Sequence, residues 1–139
     1  MNILKILTTN RIKGNIGEDA AAKFLKRKKY KILERNYIAL GCEIDIIAEN
    51  KDTIAFVEVK TRTVGTESDK EIRPAASVTP EKQRKIIKAA KFYTHNRPAE
   101  KHLRLDIIEV YLNEDKKVDK ILHFEGAFNI NSARKAKHR

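Results

Sequence analysis

Three side chains, Asp45, Glu58 and Lys60, carry the clearest chemistry in this 139-residue sequence. They fall in two β-rich runs, residues 42–49 and 53–61, separated by Asn50-Lys51-Asp52, which is turn chemistry at hairpin length. Side chains alternate between the faces of a strand. Glu43, Asp45 and Ile47 are therefore expected on one face, with Cys42, Ile44, Ile46 and Ala48 on the other. In the second run Phe56, Glu58 and Lys60 share a face, opposite Ala55, Val57 and Val59. A two-residue loop at Lys51-Asp52 then pairs Ile47 with Phe56, Asp45 with Glu58 and Glu43 with Lys60. The apolar pair and the acidic pair agree in one register, and a slip of one residue destroys that agreement.

Opposed carboxylates with Cβ atoms ~5 Å apart repel each other and destabilise a bare sheet. A divalent cation reverses the sign of that interaction. Mg²⁺ takes octahedral oxygen coordination from one or two carboxylates, with waters and phosphates completing its shell. Lys60, two residues beyond Glu58 on the same face, can stabilise charge or orient an attacking water. Asp…Glu-x-Lys thus suits metal-assisted phosphodiester hydrolysis, with Asp45 and Glu58 as the ligands of Mg²⁺ or Mn²⁺. The same residues also fit an ordinary strand pair in which Glu43 and Lys60 form an ion pair. Spacing alone leaves both readings open.

The elements around this hairpin follow from periodicity. Ile16, Ala20 and Phe24 recur at four-residue steps with Ala21 and Leu25 beside them, which predicts a helix over 16–29. Asn15 is its expected N-cap, which puts Glu18 in capping-box position. Glu18 has a second reading as a functional acid. Seven residues separate it from Leu25, so at ~3.6 residues per turn it leans toward the sheet. Residues 1–13 read as a short basic arm, and 30–38 as a first strand. The stretch 62–79 reads as a long loop of the kind that is usually functional or partly disordered. Thr79-Pro80-Glu81 opens a second helix, which carries the stripe Ile86, Ile87, Ala89, Ala90 and Tyr93 and stops at Asn96-Arg97-Pro98. Strands are expected at 104–111 and 121–124. Asp106 reads as a buried salt-bridge partner and Cys42 as a small core residue.

Composition narrows the partners. There are 30 Lys plus Arg against 19 Asp plus Glu, a net charge of +11, and an apolar fraction of 41%. One compact domain is expected at this length. No apolar run approaches the ~18 residues of a membrane span, and the first residues lack a signal-peptide core. The single Cys42 excludes an intrachain disulfide framework and fits a reducing cytoplasm. His95, His102, His123 and His138 stand too far apart for zinc-site spacing. The charge favours a polyanion, nucleic acid before acidic membrane. Residues 23–35 hold seven basic side chains against one acidic, and residues 80–91 hold five against one, among them Lys82, Arg84 and Lys85. With Arg62 and the tail residues Arg134, Lys135, Lys137 and Arg139, they offer a positive surface that grips phosphates without reading sequence. Aromatic residues are only 6%, which disfavours base stacking and favours a structure-selective or nonspecific duplex binder, with structured duplex DNA the expected partner.

Four segments together resemble a known family. They are Gly17-Glu18-Asp19-Ala20-Ala21, Arg35-Asn36-Tyr37, Gly41-Cys42-Glu43-Ile44-Asp45-Ile46-Ile47-Ala48, and Phe56-Val57-Glu58-Val59-Lys60-Thr61-Arg62. The chain resembles the bacterial YraN-like family over residues 14–128. That family is a branch of the PD-(D/E)xK, restriction-endonuclease-like superfamily and is similar to archaeal Holliday-junction resolvases. The resemblance implies an α/β fold with an αβββαβ core and a central mixed sheet flanked by helices, the element order read above. It implies Asp45, Glu58 and Lys60 as the hydrolytic set and Glu18 as an extra acid. The domain would then span 14–128, between the arm 1–13 and a basic tail 129–139. A metal-dependent endonuclease-like protein acting on branched or structured DNA is expected, with a homodimer by analogy to the resolvases. Two rivals keep the fold without the chemistry: a noncatalytic nucleic-acid-binding module, and a basic protein docking on ribosomal RNA or an acidic partner.

Overall fold

A computed structural model of the chain describes residues 2–64, 78–95 and 100–128. The tail 129–139, the segment 65–77 of the expected loop and the expected stop at Asn96-Arg97-Pro98 lie outside the described residues. The elements run α1 (Ile3–Arg27), β1 (Lys31–Ala39), β2 (Cys42–Glu49), β3 (Thr53–Thr63), α2 (Pro80–Thr94), β4 (His102–Leu112) and β5 (Val118–Phe128). One sheet holds all five strands in the order β1-β2-β3-β4-β5. β3 and β4 pair in parallel and the remaining neighbours are antiparallel, so the expected mixed α/β sheet is present. Among the described residues, no helix is long and apolar enough to cross a membrane.

The two helices cover opposite faces. Ala21, Ala22 and Leu25 of α1 pack with Ile46, Ala48, Ala55, Val57, Ile108, Val110 and Leu112. Ile86, Ile87, Ala89, Ala90 and Tyr93 of α2 pack with Ile44, Ile47, Phe56, Leu105 and Ile107. At Gly17 helix α1 comes so close to β3 that an added Cβ would collide with the Thr61 hydroxyl. Gly17→Ala is expected to cost about 1–3 kcal/mol through overpacking, measured by denaturant unfolding. An unchanged midpoint would show that Thr61 turns aside freely.

Helix α2 starts as its sequence dictates, with Thr79 as N-cap accepting from the Lys82 amide and Pro80 in the first turn. Helix α1 does not. It begins at Ile3 with Asn2 as N-cap, so residues 3–13 are helix rather than a separate arm, and Asn15 caps nothing. The physical reason is continuity. Residues 3–27 hold no proline to break a helix, and Asn2 supplies a capping oxygen 3.0 Å from the Leu4 amide. Glu18 therefore stands in mid-helix, where a capping-box role is unavailable.

The β2–β3 hairpin has the expected two-residue loop. Asn50 Oδ1 accepts from the Asp52 and Thr53 amides, and the rungs Glu49–Ile54, Ala48–Ala55, Ile47–Phe56 and Ile46–Val57 follow in the anticipated register. Beyond Ile46–Val57 the pairing ends, so neither the expected Asp45–Glu58 rung nor the expected Glu43–Lys60 cross-strand pair forms. The expected alternation along β2 also fails. Cys42 and Ile44 join Ile47 on the α2 side, whereas Ile46 and Ala48 lie on the α1 side. The strand changes face at Asp45, between the rungs Arg35–Ile46 and Tyr37–Ile44 of the neighbouring pair. Asn36, between those rungs on β1, has φ 53, a left-handed conformation that asparagine tolerates better than most residues. Arg35 accordingly reaches Asp19 on α1, while Tyr37 packs edge-on against Tyr93 on α2, ring centroids 5.0 Å apart.

Candidate active site

Where β2 and β3 separate, a backbone N–H is left without its ladder partner, and Asp45 takes it. The Val59 amide donates to Asp45 Oδ2 at 2.8 Å. This bond holds the Asp45 carboxylate in the opening of the hairpin, within electrostatic reach of Glu58, Glu18 and Glu43. Burial, then the charge on Glu58, pushes the Asp45 carboxyl up to about 7, against the opposing pull of the Val59 bond. Glu18 reaches the same opening from α1. Its carboxyl is raised by burial, relieved in part by Arg35 and raised again by Glu43, Asp19 and Glu58.

Asn36 ties two of these acids together. With its amide nitrogen turned toward them, it donates to Glu18 Oε1 at 2.9 Å and to Glu43 Oε1 at 3.0 Å. Glu58 is only 9% exposed, and two ammonium groups meet its Oε1, Lys82 at 2.8 Å and Lys60 at 3.5 Å. Burial alone would lower the Lys82 ammonium; its hydrogen bond to Glu58 and the nearby Asp45 raise it overall. The three expected chemical residues and Glu18 thus converge at one place, fed by α1, β2, β3 and α2.

The expected phosphate-binding set divides. Lys82 sits on Glu58, inside the carboxylate cluster, and Arg62 is held by the buried Glu109, Nε to Oε2 2.9 Å. Arg84 and Lys85 are exposed on α2, with Lys85 Nζ 3.6 Å from Glu81. Glu43 and Asn36 were missed as site residues. Asn36 carried a usable signal, since an asparagine inside a β run is a natural left-handed position. Asp106 lies elsewhere and is fully buried, as a salt-bridge partner should be. Arg104, His123 and the Gly126 amide surround it at 2.8–3.0 Å. Those bonds outweigh burial and hold its carboxyl below the ordinary range. Cys42 is buried, as expected of a core residue, and burial raises its thiol.

Asp45 and Glu58 repel each other across the opening, and carboxylate oxygens are the donor type that Mg²⁺ or Mn²⁺ takes. Among the described residues, no group of three or more His, Cys, Asp or Glu side chains could hold an ion unaided. Such an ion would keep waters or substrate phosphate oxygens as its other ligands, which is usual for Mg²⁺.

A mixed sheet between two helices, with carboxylates gathered where a central hairpin opens, defines an α/β protein with a restriction-endonuclease-like core. The chain belongs to the UPF0102 family, since residues 17–110 match Uncharacterised protein family UPF0102. It is 44% identical over 117 residues to a UPF0102 protein of Caldanaerobacter subterraneus, covering 83% of this chain and 93% of that one. It is 39% identical over 122 residues to a UPF0102 protein of Clostridium perfringens, covering 87% and 97%. Against a UPF0102 protein of Persephonella marina the identity is 40% over 121 residues, covering 86% and 96%. The matched span takes in every member of the carboxylate cluster together with Lys60 and Lys82.

Proposed function

We propose that this protein is a Mg²⁺- or Mn²⁺-dependent endonuclease of the PD-(D/E)xK superfamily that cuts branched or otherwise structured DNA in the cytoplasm. The observation that carries this reading is the convergence of Asp45, Glu58, Glu18 and Lys60 at the opening of the β2–β3 hairpin. Asp45 and Glu58 would hold the ion. When bound, it supplies Lewis-acid polarisation of the phosphate and acidifies a coordinated water. The residues themselves do the rest. The Val59 amide fixes the orientation of Asp45, and Asn36 sets Glu18 and Glu43 at the rim. Lys60, on the same face as Glu58, presents an ammonium to a phosphate that gains negative charge in the transition state. Arg84 and Lys85 offer cations to the flanking backbone.

The rival reading, a noncatalytic nucleic-acid module, is favoured by one observation: Lys82 already neutralises Glu58 at 2.8 Å. Incubation with junction, flap, single-stranded and plain duplex DNA, with and without Mn²⁺, separates the two. Cleavage of junction or flap that requires Mn²⁺ is expected. Salt-sensitive binding without ion uptake or cleavage would select the module. In either case log affinity for duplex should fall with log salt at a slope of ~0.9 per neutralised phosphate. A flat salt response would remove nucleic acid as the partner of the +11 charge.

A further inference from the structure

The β1–β2 hairpin ends in a loop that stability alone does not explain. Its last rung is Ala39–Cys42, so Leu40 and Gly41 form a two-residue connection. Both have positive φ, 53 and 71. That is the pattern of a type I′ turn, in which asparagine, aspartate or glycine normally fills the first position. A leucine there is strained, because its Cβ crowds the carbonyl in the left-handed region. Leu40 is also 63% exposed, and Ile38 behind it on β1 is 71% exposed. The chain therefore accepts backbone strain and wet apolar surface at one point, without burying either side chain. Open space surrounds the turn, since a Cβ built on Gly41 meets nothing within 4 Å.

The position of this tip gives it a use. Ile38 is the rung partner of Glu43, whose carboxylate shares the Asn36 amide with Glu18. Cys42, the first residue after the turn, lies within electrostatic reach of Lys82, Glu58, Lys85 and Asp45. The tip thus stands at the rim of the carboxylate cluster, with the exposed Lys85 of α2 nearby and Lys82 already bonded to Glu58. A second copy of the chain would bring its net charge of +11 against its like. Nucleic acid complements that charge, and it offers apolar surface only where base stacking is interrupted, where leucine and isoleucine are known to enter.

We infer that Leu40, backed by Ile38, is a wedge that enters an opened base step and so directs the neighbouring carboxylate cluster to branch points rather than continuous duplex. This inference rests on the nucleic-acid reading above and names the feature of DNA that the site selects.

The test compares full-length wild type, Leu40→Asn and Leu40→Met. Ca²⁺ replaces Mg²⁺, as a hard cation that takes the same oxygen ligands. The probes are a four-way junction carrying 2-aminopurine at its branch and a linear duplex of equal length. Wild type should prefer the junction by about tenfold or more, ~1.4 kcal/mol, and raise 2-aminopurine fluorescence on binding. Leu40→Asn suits the turn better, so its Tm should equal or exceed that of wild type, while the preference and the fluorescence rise disappear. Leu40→Met keeps an apolar tip and should retain both. If Leu40→Asn keeps the preference and the fluorescence rise, the wedge is wrong. Equal binding of junction and duplex by wild type overturns the wedge but leaves the nucleic-acid reading standing. Binding to neither DNA overturns both. A dimer that becomes monomeric in Leu40→Asn, with the junction preference intact, would assign the tip to self-association instead.

Discussion

Replacing Lys60 by methionine is expected to slow phosphodiester cleavage by about 10²–10³ while divalent-ion binding persists. The carboxylates of Asp45 and Glu58 are untouched by this change. Glu58 also keeps the closer of its two ammonium partners, Lys82 at 2.8 Å against 3.5 Å for Lys60. What is lost is a cation that meets the phosphate most strongly in the transition state, when negative charge is greatest. The effect should therefore fall on the chemical step and leave affinity for DNA nearly unchanged, since one contact among many phosphates is a small share of binding. Single-turnover cleavage, Mn²⁺ titration and DNA binding on wild type and Lys60→Met measure the three quantities separately. Equal cleavage rates would show that the Glu-x-Lys arrangement is not the hydrolytic one.

Asp45→Asn should make the metal-free protein more stable above neutral pH and at the same time destroy its ion site. The Asp45 carboxyl stands at about 7 in the folded chain, against an ordinary value of 3.8. The unfolded chain therefore gives up this proton first. Its contribution to stability is fully present below the unfolded value, declines as pH rises above it, and is lost once pH passes through about 7. Asparagine carries no such charge, and its side-chain oxygen can still accept the Val59 amide. At ~1.36 kcal/mol per pH unit the ceiling is about 4 kcal/mol. Partial solvent access brings the expected gain at pH 8 nearer ~1–2 kcal/mol, or ~3–8 °C in Tm. Thermal scans in EDTA from pH 4 to 8 should show the difference largest at pH 8 and shrinking toward pH 4. A difference independent of pH would mean that Asp45 ionises normally in the fold. A stabilising substitution at a charged, partly buried position is the usual mark of a site kept for function.

The register of the β2–β3 hairpin was legible from the turn residues and the apolar pair Ile47–Phe56, whereas the acidic pair expected behind it is not a rung, because the strands part after Ile46–Val57. Helix α2 was legible from its cap and stripe. Two features were not. The start of α1 was misplaced because Asn15 reads as an N-cap ahead of the apolar stripe, whereas the helix runs on through it to Asn2 without a buried stripe to mark its first turns. The change of face at Asp45 was missed because alternation assumes a regular strand, and here Asn36 breaks it from the neighbouring strand. That break matters chemically. It brings Glu43 to the same amide as Glu18 and leaves the Asp45 carboxylate to cap the Val59 amide in the opening. Lys82 shows the limit of reading charge runs. The sequence marks it as one lysine among five basic residues in 80–91, whereas the fold sets it against a buried glutamate.

Calorimetric titration of the full-length protein with Mn²⁺ at pH 7, in two buffers of different ionisation heat, tests the central claim most directly. An ion held by Asp45 must displace the proton that its raised carboxyl retains, so binding should be accompanied by proton release. The predicted result is one saturable site whose heat depends on the buffer and which is absent in Asp45→Asn and in Glu58→Gln. No ion uptake by wild type, even with junction DNA present, would contradict it.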